Sequence, residues 1–507
     1  MRLKAIFLFC ILNVGCDDIA APGNQHLAWK LTPCPGFTET GKPPLVSGAE
    51  CGVLEVDENP QAENSKKIGL NILRLPAINP VPKEDPLFII AGGPGQAAVG
   101  VAEQLFYVFE EVRKSRDIVF VDQRGTGKSQ PLECPDVAKI VQRLTFADQK
   151  SEIKLALRQC ADSYGESLQF YTTPYAVDDL DRVRHALGYQ QINLWGVSYG
   201  TRVALEYMKR YPKMVRTSVL DGVAPVSMAL PWSAESDAMA ALSKINEQCS
   251  ASETCHDAYG NLIEKAESVA RRLQLSAVDV EIEHPSTRLI YQVKMNHEVF
   301  AGAVRMTLYS RDLVRLLPLA ISRAYDEDYQ LLTAIVAMAE RRNGFGEITI
   351  GMHYNILCNE DYPQYTSRNF SDSQKFLLLN AIQTASEACE MWPRYQLSGI
   401  YFKPVSSDVP TLLLSGARDP VTPPFWAEQA MVGLSRAKHA IAPGGHHSIT
   451  RDGCTARLIA QFIATGNIAQ LDVSCVERIM PLPPYYELSA DALATLEDEQ
   501  LQAGSDN

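Results

Sequence analysis

Beyond Leu12 no stretch reaches the roughly 18–20 consecutive apolar residues that a membrane-crossing helix needs, so no transmembrane span is expected. No Cys-x-x-Cys pair occurs, which removes the commonest zinc pattern, and no metal or cofactor is assigned. No internal repeat or low-complexity tract is present, which leaves solenoids and polar linkers without support. Positive charge is also in deficit. Lys and Arg number 47 against 60 Asp and Glu, a net charge of -13. Nucleic acid is therefore not an expected partner, because phosphate binding needs a basic surface. Acidity alone selects no substrate.

What is present describes an ordinary globular enzyme. Apolar residues make up 46% and charged residues 21% of the 507, a composition that forms cores rather than disordered chains. That length predicts one large domain with an insertion, or two domains. Arg2 and Lys4 followed by the apolar run Ala5–Leu12 read as an export signal over residues 1–21. Val14-Gly15-Cys16 is similar to the end of a lipoprotein signal, which would make Cys16 a lipid-anchored first residue, although Asn13 departs from that pattern. Cleavage near Ala20 or Ala21 is the competing reading. Of twelve cysteines, Cys10 and Cys16 fall in or at the signal, and ten remain. An even set in an exported chain predicts disulfides. Sequence does not fix their connectivity; the simplest expectation pairs neighbours, 34–51, 134–160, 249–255, 358–389 and 454–475.

Strand-like runs alternate with helical patterns, which predicts an α/β fold with a mainly parallel sheet. Cys51–Val56 and Ile68–Leu75 read as an antiparallel lead-in hairpin. Pro86–Ala91, Asp117–Val121, Ile192–Trp195, Thr217–Leu220, Thr411–Leu414 and His439–Ala442 follow, mostly as near-continuous apolar runs suited to burial on both faces. Between Gly222 and Thr411 the texture is helical, as in Leu262–Leu273, Val299–Tyr309 and Tyr329–Arg341. The expected organisation is core over 22–222, a helical cap over 223–405, core again over 406–485, and an acidic tail over 486–507. A cap entering and leaving one sheet would cover the strands' C-terminal edge, where open α/β sheets bind ligands.

The chemistry centres on Gly196-Val197-Ser198-Tyr199-Gly200, which follows a strand and opens the helical pattern Thr201–Tyr211. That strand–turn–helix context is what a G-x-S-x-G nucleophile elbow requires, and it makes Ser198 the expected nucleophile. A serine hydroxyl needs a base and an orienting acid. Asp419 follows the strand Thr411–Leu414, and His446 and His447 follow the next strand; of nine histidines only these two occupy such a place. The oxyanion needs two N–H donors. One is expected from Tyr199. The other should come from Gly92-Gly93-Pro94-Gly95, where Pro94 has no N–H and Gly93 is preferred over Gly92 and Gly95. Gly125-Thr126-Gly127-Lys128-Ser129 imitates a P-loop, but the required earlier glycine is Asp122, so no nucleotide site is read there.

These segments together with Asp122-Gln123-Arg124-Gly125-Thr126-Gly127-Lys128-Ser129 resemble the prolyl aminopeptidase family of α/β hydrolases, more closely its secreted tripeptidyl aminopeptidase branch. The resemblance runs through Gly453-Cys454 to Cys475 and so covers nearly the whole mature chain. Ala91, where prolyl iminopeptidases usually carry His, fits the larger branch. The family's histidine motif, counted back from Cys454, selects His447, whereas the preceding glycine selects His446; His447 is adopted. The implied activity is release of proline or di- and tripeptides from free peptide N-termini through an acyl-enzyme. Relatives bind the substrate amine with cap acids, and Glu360 and Asp361 beside Cys358 are the candidates by position. An ester hydrolase with the same three residues, or a silent binding protein on the fold, are the alternatives.

Overall fold

In the computed structural model, which describes residues 30–34, 48–141, 149–283, 288, 290–341, 348–366 and 379–486, the apolar runs assemble into one nine-stranded sheet. The expected export signal, Cys16 and all but the first residue of the acidic tail lie outside the described residues.

The strands are β1 (Thr32–Pro33), β2 (Glu50–Asp57), β3 (Lys67–Leu75), β4 (Leu87–Ile90), β5 (Ile118–Val121), β6 (Ile192–Val197), β7 (Val215–Asp221), then a separate hairpin β8 (Val278–Glu283) and β9 (Ile290–Met295), then β10 (Thr411–Gly416) and β11 (Ala437–Ala442). The sheet order is β1-β2-β3-β5-β4-β6-β7-β10-β11. From β5 to β11 neighbouring strands are parallel, whereas β1, β2 and β3 pair antiparallel, as does β3 with β5. Strands β4, β5 and β10 are buried at every position. Burial on both faces leaves no polar side to present, hence the unbroken Leu, Ile, Val and Phe of β4 and β5 and the Leu412–Leu414 run of β10.

Between β7 and β10 the chain builds a helical insertion with its own core, where Leu242, Leu262, Phe300, Leu317 and Leu332 are fully buried. The sequence reading expected only helices there; β8 and β9 are an addition to it. Their signal is a short period of two, with Val280 and Ile282 facing inward between exposed acids. Neighbouring cysteines pair throughout: 34–51, 134–160, 249–255, 358–389 and 454–475. Five disulfides fit an oxidising, extracytoplasmic compartment. Among the described residues no helix is long and apolar enough to cross a membrane.

Candidate active site

Because β6, β7, β10 and β11 run parallel, the loops that follow them rise at one edge of the sheet. β6 turns into the helix Tyr199–Arg210 through Ser198, whose φ of 56° and ψ of -127° are unusual for a residue with a side chain. Such a conformation costs on the order of 1–3 kcal/mol and persists only where its surroundings enforce it. Here the Ser198 N–H donates to the Asp221 carbonyl at 2.9 Å, and the Ser198 carbonyl accepts from the Thr201 N–H at 2.9 Å and its hydroxyl at 2.6 Å. The flanking glycines are steric necessities. A Cβ on Gly196 would stand 2.5 Å from the Gly200 carbonyl oxygen, and one on Gly200 2.3 Å from that of Ile90. Ser198 stays partly accessible while Gly196, Tyr199 and Gly200 are buried.

The loop after β4 lies directly on this turn. A Cβ on Gly92 would fall 3.1 Å from the Ser198 Cβ. The Gly92 N–H is already engaged by the Gln96 side-chain oxygen at 2.9 Å, which removes it as an oxyanion donor. Helix Ile350–Ile356 of the insertion clamps the same loop: the Thr349 N–H donates to the Gly95 carbonyl at 2.9 Å, and His353 Nδ1 reaches the Pro94 carbonyl at 3.0 Å. A carbonyl only accepts, so Nδ1 carries that proton.

Asp419, on the loop after β10, is 1% exposed and ringed by donors. Its Oδ1 accepts from the Val421 and Thr422 N–H groups at 2.8 Å each, and its Oδ2 from the Thr422 hydroxyl at 2.8 Å. His447 completes the ring, with Nδ1 at 3.0 Å from Oδ1 and 2.9 Å from Oδ2. Burial alone would raise the Asp419 pKa, but His447 and the backbone N–H groups outweigh it and hold the carboxyl below its usual range. For His447 burial acts downward, and Asp419, aided by Asp221, lifts the imidazole above its ordinary pKa. This hydrogen bond fixes the Nδ1–H tautomer and leaves Nε2 as the basic nitrogen. Tyr309 of the insertion packs edge-on against the His447 ring, centroids 5.3 Å apart.

His446 points elsewhere. It is 2% exposed, its Nδ1 lies 2.6 Å from the Leu308 carbonyl, and burial depresses its pKa to about 4. Of the two expected histidines, the structure thus brings only His447 to Asp419.

Glu360 and Asp361 sit on a π-helical turn, Leu357–Asp361, both with no exposure. Asp361 pairs with Arg202 at 2.9 and 3.2 Å and accepts from the Leu230 N–H at 3.1 Å. Glu360 accepts from the Thr173 N–H and hydroxyl at 2.7 Å each and from the Tyr401 hydroxyl. Expected as amine-binding acids, both carboxylates are enclosed and hydrogen-bonded by the scaffold. Sequence position gave no sign of Arg202 as their partner. Arg124 of the Asp122–Ser129 segment is similarly enclosed, held by Asp179 at 2.7 and 2.9 Å and by the carbonyls of Glu58 and Phe170 at 2.9 Å. That segment serves the scaffold.

Two carboxylates escaped the sequence reading. Asp221 lies one residue past the expected strand Thr217–Leu220 and belongs to no motif. Asp237, on the insertion helix Ala234–Ser250, accepts from the Trp426 indole at 2.9 Å; burial and the nearby Asp419 charge push its pKa up to about 7.

Residues 85–243 match the alpha/beta hydrolase fold family and residues 376–475 the TAP-like protein family. The chain is an α/β hydrolase with a TAP-like C-terminal region. It is homologous to the serine protease Hip1 of Mycobacterium tuberculosis, with 25% identity over 93% of this chain and 96% of that one. It is also similar to the tripeptidyl aminopeptidase of Streptomyces lividans, 30% identical over 36% of this chain and 37% of that one. The putative hydrolase YuaR of Escherichia coli K12 shares 30% over 44% and 45% of the respective lengths. The proteins the chain is similar to are thus serine hydrolases and proteases of the TAP-like kind.

Proposed function

We propose that the protein is an exported serine aminopeptidase that releases short N-terminal units from peptides, with Ser198 as nucleophile, His447 as base and Asp419 as its orienting acid. The Asp419–His447 hydrogen bond, at the strand edge where the Ser198 elbow also ends, carries this reading. The names of the relatives support peptide rather than ester substrates.

In the proposed reaction His447 Nε2 takes the Ser198 proton as Oγ attacks the scissile carbonyl carbon. The oxyanion is met by the N–H groups of Tyr199 and Gly93, at the N-terminus of the helix Tyr199–Arg210. His447 then gives the proton to the leaving nitrogen, the C–N bond breaks, and an acyl-enzyme remains on Ser198. Water, deprotonated by His447, releases the short acid and restores the serine. Burial of Asp419 keeps its charge unscreened as the imidazolium forms.

The test is mass spectrometry of products from a set of peptides with free and N-acetylated termini. Sequential release of one to three residues from the free set alone is expected. Equal cleavage of blocked peptides, or turnover of esters with no peptide cleaved, would refute the aminopeptidase reading.

A further inference from the structure

We propose that Asp221 is a positioning residue of this site: its main chain holds the nucleophile turn, its carboxylate holds the histidine loop, and its charge backs the imidazolium. The role rests on Ser198 and His447 being nucleophile and base.

Asp221 closes β7, the strand between the two that lead to Ser198 and Asp419. It is register partner to Val197 on β6 and to Leu414 on β10. Its carbonyl accepts the Ser198 N–H at 2.9 Å, and the next residue's N–H donates to Leu414 at 3.0 Å. Its side chain reaches over the third element. Oδ1 accepts the Ile449 N–H at 3.0 Å, and Oδ2 accepts the Thr450 N–H at 2.9 Å with the Thr450 and Ser448 hydroxyls at 2.5 Å each. Asp221 thus ties the nucleophile turn to the histidine loop, and the strand it closes pairs with β10, which leads to Asp419.

The protonation pattern follows from the donors. Trp195 Nε1 donates to Thr450 Oγ1 at 3.1 Å, and an indole cannot accept. The single Thr450 hydroxyl proton is therefore free for Asp221. With two backbone N–H groups this makes three donors that have no other role; burial raises the Asp221 pKa, and these donors act against it by favouring the ionised carboxylate. Ser448, next to His447, has a φ of 67°, an unfavourable value that its hydroxyl bond to Asp221 stabilises.

Asp221 has no exposure, and among the described residues no Lys or Arg pairs with it. The charged groups that His447 feels are Asp419 and Asp221, with the neutral Tyr309 ring on its other side; Asp221 in turn bears on Asp452 of the same loop. A buried negative charge lacking a fixed cation favours positive charge where the reaction makes it, on the imidazole.

The test is the second-order rate of inactivation by a fluorophosphonate probe as a function of pH, which requires no knowledge of the substrate. Parent, Asp221→Asn and the double variant Ser448→Ala with Thr450→Val are compared, folding being checked by circular dichroism and melting. Asp221→Asn is expected to react about 10–100-fold more slowly, with its acid-limb midpoint moved to lower pH by about half a unit or more. The double variant keeps the charge and loses two tethers; it should slow at least about fivefold with little movement of the midpoint. A folded Asp221→Asn protein with parental rate and midpoint would overturn the proposal. If that variant does not fold, a parental rate in the double variant overturns it instead. An unreactive parent would refute the nucleophile reading itself, whereas a reactive parent with unaffected variants removes only the role of Asp221.

Discussion

Arg202, one turn beyond Ser198 on the same helix, holds Asp361 of the insertion at 2.9 Å with neither side chain exposed. The pair fastens the helix behind the nucleophile to the polypeptide that covers it. Removing one partner leaves the other charge buried and alone, which costs about 3–5 kcal/mol. Arg202→Met and Asp361→Leu should each lower unfolding free energy by that order in urea titrations, and the double variant should recover much of the loss. If Asp361→Leu instead left stability intact and raised KM only for free-amine substrates, Asp361 would be an amine ligand after all.

The two adjacent histidines should separate cleanly in mutants. His447→Ala is expected to lose activity by a factor of about 10⁴ or more, since the triad acts as a unit. His446→Gln should keep kcat within about fivefold and lose melting temperature, because its ring serves the Leu308 carbonyl. Steady-state kinetics beside thermal melts decide the matter, and a reversal of the two outcomes would exchange the assignments.

His446 also predicts how stability responds to acid. Its pKa is depressed to about 4 by burial, and His439, against Ser415, is depressed to about 4 as well. The unfolded chain takes up these protons near pH 6.5, whereas the folded protein refuses them until about pH 4. The contribution of these two histidines is therefore fully present above about pH 6.5 and lost progressively down to about pH 4, while Asp237, raised to about 7, contributes with the opposite sign. Chemical denaturation of the parent and of His446→Gln at pH 7, 6, 5 and 4 should show the parent losing stability relative to the variant as pH falls.

Cys454–Cys475 closes a loop of sequence separation 21 that starts just after the histidine loop and contains the helix Thr455–Thr465. Replacing both by Ser should cost about 3 kcal/mol through the freer unfolded chain. Melting under non-reducing conditions measures it, and a change below about 1 kcal/mol would mean the bond is dispensable for stability.

Much of this arrangement was legible in the sequence because it depends on local signals. Buried parallel strands such as Leu87–Ile90 and Thr411–Gly416 announce themselves as apolar runs, and the elbow needs Gly196 and Gly200 for reasons visible in five letters. What escaped depends on distant partners. Asp221 lies 227 positions from Ser448, and the partners that enclose Glu360 and Asp361, which are Thr173, Arg202 and Tyr401, lie far from them in sequence. The choice between His446 and His447 likewise turned on which ring faces Asp419, which spacing alone leaves open.

Peptide mapping after fluorophosphonate treatment bears most directly on the site, in the parent and in His447→Ala. The account predicts a single adduct on Ser198 in the parent and loss of nearly all labelling in the variant. An adduct on another residue, or undiminished labelling of Ser198 without the His447 imidazole, would contradict it.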